Sequence, residues 1–216
     1  AVLVTALAGC TGLQRDEQQE NLDAIATLPG VASISDVTYK TECDALCSKV
    51  TATVVLEDAL TSNKIRQLRD RIAAGLVSNQ MSEMTLALRQ GAAAIPVDAG
   101  NILFDLWDRV RADPRFAAVE IVHGDPDRAN EWVLQLSVPS KSDLVAGLAA
   151  GEEVAPPSAS LSLRISTMAR DYSVLDNEGD DVGMLAAATS VLAGSPPLAG
   201  FTVEMTSTLN IGLKMA

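Results

Sequence analysis

The chain has 216 residues, 48% apolar and 20% charged, enough for a folded core and one to two domains, which excludes a disordered tail, a collagen-like fibre and a disulfide-dense mini-protein. A net charge of -12, with 28 acidic against 16 basic residues, argues against nucleic acid as a partner and against electrostatic adsorption to anionic lipid. With 3% aromatic residues and a single histidine, stacking on bases or sugars and any site needing two imidazoles are also disfavoured.

Residues 1–9 are apolar or small and run into Leu7-Ala8-Gly9-Cys10, and a mostly polar stretch, 11–20, follows. This order resembles the end of a bacterial lipoprotein signal peptide. The resemblance implies cleavage before Cys10, a diacylglycerol thioether and an amide-linked acyl chain of the palmitate type on Cys10, and an extracytoplasmic protein anchored to the cell membrane. Residues 1–9 are then residual signal peptide and 10–20 the lipidated cysteine and its tether. The initiator Met and the Lys/Arg-bearing front of such a peptide are missing, so the sequence reads as a fragment. The other reading of these residues is a buried strand with Cys10 as a core thiol. Nine apolar residues are too few to span a bilayer, whereas two or more acyl chains, at about 0.8 kcal/mol per buried CH₂, anchor a protein firmly.

A helix is expected over 16–27, using Leu22 and Ile25, with Pro29-Gly30 ending it before a strand over 31–39. Val50, Ala52, Val54 and Leu56 alternate with Thr51, Thr53 and Val55 as a half-buried strand. Over 63–77, Ile65, Leu68, Ile72 and Leu76 fall at helical spacing, with Lys64, Arg66, Arg69 and Asp70 on the other side and Thr61 or Ser62 as N-cap. Met84, Leu86 and Leu88 alternate in a further strand.

The order helix, strand, strand, helix, strand then returns. Leu103, Leu106, Trp107 and Val110 share a helical face, Pro114 breaks it, and a strand follows over 116–122. Trp132, Leu134, Leu136 and Val138 alternate, a helix follows over 142–150, and Leu161, Leu163 and Ile165 close the unit. Leu28-Pro29-Gly30-Val31 is echoed by Asp113-Pro114-Arg115-Phe116 and by Leu198-Ala199-Gly200-Phe201. A third copy begins with a helix over 181–192, a Pro196-Pro197 break, a strand over 201–205 and alternation at Leu209, Ile211, Leu213 and Met215, and is incomplete. The expected fold is therefore α+β, in tandem two-layer modules over 21–98 and 99–176 with an incomplete third module over 180–216. This order resembles the BON domain of envelope lipoproteins and the wider ferredoxin-like class. It differs in lacking the glycine that BON-type units carry near the end of the second strand, at 55–58 or 137–139.

Cys43 and Cys47 sit between two strands in Glu42-Cys-Asp-Ala-Leu-Cys-Ser48. An even pair in an oxidising compartment favours a disulfide stapling the hairpin tip. The alternative is a thiol-redox or soft-metal site with help from methionines, which the four-residue spacing and the few neighbouring cations disfavour. His123, Asp125 and Asp127 form the one compact polar group, in a turn. No nucleophile elbow or phosphate-cradling glycine loop is present, and the acidic run 176–181 lacks the glycine position and closing Glu of a calcium loop. No catalytic residue, metal or cofactor is assigned. The expected function is a non-enzymatic binding or interaction module of the cell envelope, with a protein or envelope polymer as partner. The runner-up is a small-molecule or metal carrier.

Overall fold

The structure, a computed structural model, describes residues 3–42, 47–76, 82–124, 132–155, 161–169, 172–176, 201–205 and 209–213. The chain is α+β and divides into two compact units, Ala1–Gly100 and Asn101–Ala216. The first unit holds α1 (Leu3–Ala26), β1 (Val31–Glu42), β2 (Cys47–Leu56), α2 (Ser62–Leu76), β3 (Ser82–Gln90) and β4 (Ala93–Pro96). The second holds α3 (Asn101–Val110), β5 (Ala118–His123), β6 (Trp132–Val138), α4 (Leu144–Val154), β7 (Leu161–Thr167), β8 (Tyr172–Asp176), β9 (Phe201–Met205) and β10 (Leu209–Leu213). A single 3-10 turn, Lys141–Asp143, leads into α4. The order helix, strand, strand, helix, strand thus occurs in both units.

Pairing follows the same plan in each. β1 runs antiparallel to β2, and β2 parallel to β3 through the α2 crossover. β5 runs antiparallel to β6, and β6 parallel to β7 through α4. Parallel neighbours need such a crossover, and a helix packed back on the sheet supplies it. Two short strands lie outside the sequence expectation. β4 folds back on β3 through a turn in which Gly91 takes a left-handed φ of 57°, and β8 folds back on β7. In the second unit the sheet then continues, with β9 parallel to β8 and β10 antiparallel to β9. The strands of the third copy therefore extend the sheet of the second. The expected helix over 181–192 and the Pro196-Pro197 break lie outside the described residues.

Alternation sets the core of the first unit. Val50, Ala52, Val54 and Leu56 of β2 and Leu86 and Leu88 of β3 are buried, together with Leu22 and Ile25 of α1 and Ile65, Leu68 and Ile72 of α2. Each fully buried large aliphatic side chain contributes about 1.5–3 kcal/mol. Thr51, Thr53, Thr85 and Ala87 occupy the alternate positions, with Thr51 beside Thr85 and Thr53 beside Ala87. α1 begins at Leu3 rather than near residue 16, through Ala- and Leu-rich sequence with no proline to stop it. It is tied to β1 by Tyr39, whose hydroxyl donates to Gln19 Oε1 at 2.7 Å and whose ring lies under the Arg15 guanidinium at 4.6 Å. One expectation on α2 is corrected: Arg69 does not lie on the exposed side. It is buried, donating to the Ala99 carbonyl at 3.1 Å and pairing with Asp70 at 2.7 Å, because a buried guanidinium must satisfy its donors.

β1 ends the order of strands in the first unit, and its free edge is irregular. The register shifts between Val31 and Ser33 and between Ser35 and Thr38, and Asp36 takes φ 54°, a left-handed conformation that Asp tolerates better than most residues. Its carboxylate accepts from Ser35 Oγ at 2.9 Å and lies 3.7 Å from Arg89. Bulges and a left-handed residue interrupt an edge that would otherwise template pairing.

In the second unit the buried face comprises Val119 and Ile121, Leu134, Leu136 and Val138, and Leu163 and Ile165, beneath Phe104, Trp107 and Val110 of α3 and Leu144 and Leu148 of α4. Phe104 and Trp107 meet with ring centroids 5.5 Å apart, and the Arg111 guanidinium lies 4.6 Å from the Trp107 ring. Among the described residues, no helix is long and apolar enough to cross a membrane.

Candidate functional site

The site begins where α1 gives way to β1. Leu28 N donates to Ile25 O at 3.0 Å and Val31 N to Leu28 O at 3.1 Å, so the chain reverses over Pro29 and Gly30. Gly30 takes φ 95°, open to glycine at no steric cost. It is also the point of closest approach to the loop after β2. A β-carbon there would lie 2.9 Å from Leu60 Cδ1, and Glu57 N donates to Gly30 O at 3.0 Å.

The β2–α2 loop is held a second way. Gln90, at the end of β3, donates from Nε2 to the carbonyls of Glu57, Asp58 and Leu60 at 2.9, 3.2 and 3.1 Å. Leu60 N donates to Glu57 O at 3.2 Å, and Ile65 N to Thr61 O at 3.0 Å starts the helix. One amide side chain thus gathers carbonyls that a loop would otherwise present to water.

Between turn, loop and helix lies a cavity of about 550 Å³, lined by Pro29 and Gly30, by Glu57 and Leu60, and by Lys64, Gln67, Leu68 and Arg71 of α2. That volume is within the range of about 300–1,000 Å³ characteristic of ligand pockets. Lys64, Gln67 and Arg71 recur at i, i+3 and i+7, so they form one row along the helix beside the apolar stripe of Leu68. Among the described residues, none of the three has a hydrogen bond or ion pair, in contrast to Arg69 on the inward side. The groove therefore combines two cations, an amide, one carboxylate and an apolar wall. Of these residues only Lys64, in a charged helix face, Leu68, at a core position, and the Pro29-Gly30 break stand out in the sequence. The i, i+3, i+7 recurrence of Lys64, Gln67 and Arg71 was the available signal.

The other sequence candidates fall elsewhere. The backbone at Cys10 is helical, within α1. Cys47 opens β2 opposite Glu42 of β1, and Cys43 lies outside the described residues. His123 closes β5 opposite Trp132, ring centroids 4.2 Å apart, while Asp125 and Asp127 lie outside the described residues. Asp176 is the last residue of β8, and the rest of the acidic run lies outside them too. Among the described residues, no group of three or more His, Cys, Asp or Glu side chains is placed to hold a metal ion.

No protein-family model matches this chain, and neither a curated protein nor a solved structure shows significant similarity to it.

Proposed function

We propose that this protein is a non-enzymatic binding module of the cell envelope, built from repeated BON-like α+β units and held to the membrane through lipid on Cys10. The groove over α2 carries the binding half of this reading: three chain segments, locked by Gln90 and by the Gly30 contact, surround a cavity whose polar groups have a ligand's complement rather than a fold's. The anchoring half is supported by Leu7-Ala8-Gly9-Cys10 and the polar tether after it. In that compartment Cys43 and Cys47 form a disulfide across the tip of the β1–β2 hairpin.

The test is metabolic labelling of the protein in its native cell with a radiolabelled fatty acid, followed by crosslinking in intact cells and identification of the captured species. The expected result is label on the wild-type chain, none on Cys10→Ala, and a reproducible envelope protein or polymer in the crosslink. An unlabelled wild-type chain that fractionates with cytosol overturns the anchor, and a labelled chain that captures nothing specific overturns the binding role.

A further inference from the structure

We propose, building on the binding-module reading, that the α2 groove takes a short acidic peptide in polyproline II conformation, with carboxylates on Lys64 and Arg71, a peptide group on Gln67 and an ammonium on Glu57. The spacing of the cations fits such a peptide. Lys64 and Arg71 are seven residues apart on one helix face, a rise of about 10.5 Å at 1.5 Å per residue. Residues three apart in a polyproline II peptide fall on the same side of the chain, separated by about 9 Å at three residues per turn. An acidic residue at each of those positions therefore meets both cations without bending the chain.

The chemistry of the row points the same way. Gln67, midway along the row, carries both an amide donor pair and a carbonyl acceptor, the complement of a peptide group. A simple inorganic anion makes no use of it. Glu57 repels such an anion from the same cavity but attracts a peptide's terminal or side-chain ammonium. Leu60 and Leu68 offer apolar wall to the aliphatic parts between the charges. The charge of α2 also contrasts with that of the chain. In a chain of net charge -12, α2 carries four basic residues against one acidic residue, and Arg69 alone of the four is turned inward and paired with Asp70. The row is a local cationic site, to which an acidic peptide is guided despite the overall charge of the chain.

The experiment is calorimetric titration of the full chain with the synthetic tetrapeptide Glu-Ala-Ala-Glu, free at its amino end, with Gln-Ala-Ala-Gln amide, N-acetylated Glu-Ala-Ala-Glu and inorganic phosphate as comparison probes. Saturable binding of Glu-Ala-Ala-Glu is expected, at least tenfold tighter than Gln-Ala-Ala-Gln amide. Lys64→Ala and Arg71→Ala should each weaken it about fivefold, as for single partly solvated charge pairs, and the double variant at least tenfold. Lys40→Ala, on β1, should leave it unchanged, and Glu57→Gln should weaken the free peptide but not the acetylated one. Equal binding of Glu-Ala-Ala-Glu and Gln-Ala-Ala-Gln amide, undiminished binding by the double variant, or phosphate binding as tightly as the peptide overturns the proposal. In the cell, the double variant should lose the crosslinked species that the wild type captures. If it captures that species equally, the groove is overturned while the binding-module reading stands; if the wild type captures nothing, both fall.

Discussion

α2 and α4 hold the same place in two copies of one plan, each carrying the chain between parallel neighbours, yet they meet their sheets in opposite ways. α4 presents glycines. A β-carbon on Gly147 would lie 2.5 Å from Val138 Cγ1, and one on Gly151 would lie 3.0 Å from Leu163 Cδ2 and 3.2 Å from both Ile165 Cδ1 and Leu136 Cδ1. α2 presents Ile65, Leu68 and Ile72 to its sheet and keeps a cationic row outside. Bare backbone lets a helix sit down on a sheet, here with Leu144 and Leu148 buried beside the glycines. Long side chains space the layers, and the margin of that spacing, rimmed by loops, is where the cavity opens. The comparison teaches that topology decides where a site is available, and side-chain length shapes what lies there.

The sharpest way to break this contrast is to add one methyl group to each helix. Gly147→Ala forces a carbon against Val138, which is fully buried and β-branched and so has little rotamer freedom with which to yield. Overpacking of this kind costs about 1–3 kcal/mol. Gly75→Ala meets nothing within 4 Å and should stabilise by about 0.5–1 kcal/mol through helix propensity. Denaturant unfolding with hydrogen-exchange mass spectrometry separates the units. Amides of β6, α4 and β7 should lose protection in the first variant, and those of α2 should gain it in the second. Val138→Ala should recover part of the loss in the Gly147→Ala background. Shifts of the same sign in both units would mean that α4 is not seated on its glycines.

The loops entering the two helices differ as the helices do, and a smaller effect is expected there. Unit one holds its loop from a distance, with Gln90 reaching three carbonyls more than 29 residues away in sequence. Unit two holds its loop locally: Asp143 Oδ2 accepts from Ser140 N at 3.1 Å and from Ser140 Oγ at 2.7 Å. Gln90→Ala should cost about 1 kcal/mol, the net worth of a hydrogen bond or two partly exposed to water. The diagnostic is location. Exchange should accelerate at 57–65 in Gln90→Ala and at 139–144 in Asp143→Ala, with neither variant touching the other loop. Faster exchange at 57–65 should also weaken binding of the acidic tetrapeptide, since that loop forms one wall of the groove.

What was legible in the sequence follows the same line between local and distant. The strand Trp132–Val138 and the strand Phe201–Met205 begin and end where their alternation does, and Ile65, Leu68 and Ile72 all face inward, because a period of 2 or 3.6 is written in neighbouring residues. β4 was not legible: Ala93–Pro96 is buried throughout, so no alternation marks it, and it is four residues long. Arg69 defied its side of the helix because the carbonyl that receives it, Ala99, is 30 residues away. The groove was hidden for the same reason. Gly30 against Leu60, and Gln90 against the loop, are approaches that only the β1–β2–β3 pairing brings about.

The smallest effect tests the turns before the first strands, where Gly30 and Arg115 stand at matching places in the repeat. Unit one turns on a glycine with a left-handed φ. Unit two turns on charge. Arg115 donates to Asp113 from its backbone N at 3.0 Å and from its guanidinium at 2.6–3.0 Å, and reaches Glu153 of α4 at 2.9 Å. The guanidinium hydrogen bonds hold the Asp113 carboxyl below its ordinary value, against a smaller opposing effect of desolvation, and Asp113 raises the Arg115 pKa in return. A carboxyl whose pKa is depressed in the folded chain adds stability that is present above the ordinary aspartate value and is lost as pH falls through the depressed one. Unit two should therefore weaken with acid below about pH 4 by an increment that Asp113→Asn removes, flattening the acid limb of its unfolding curve. The increment should shrink in high salt, because the pair faces solvent. The Gly30 turn has no titrating counterpart, so the acid limb of unit one should be the same in both proteins. An unchanged limb for unit two in Asp113→Asn would show that its turn, too, rests on backbone conformation, and that the two copies differ less in design than in residues.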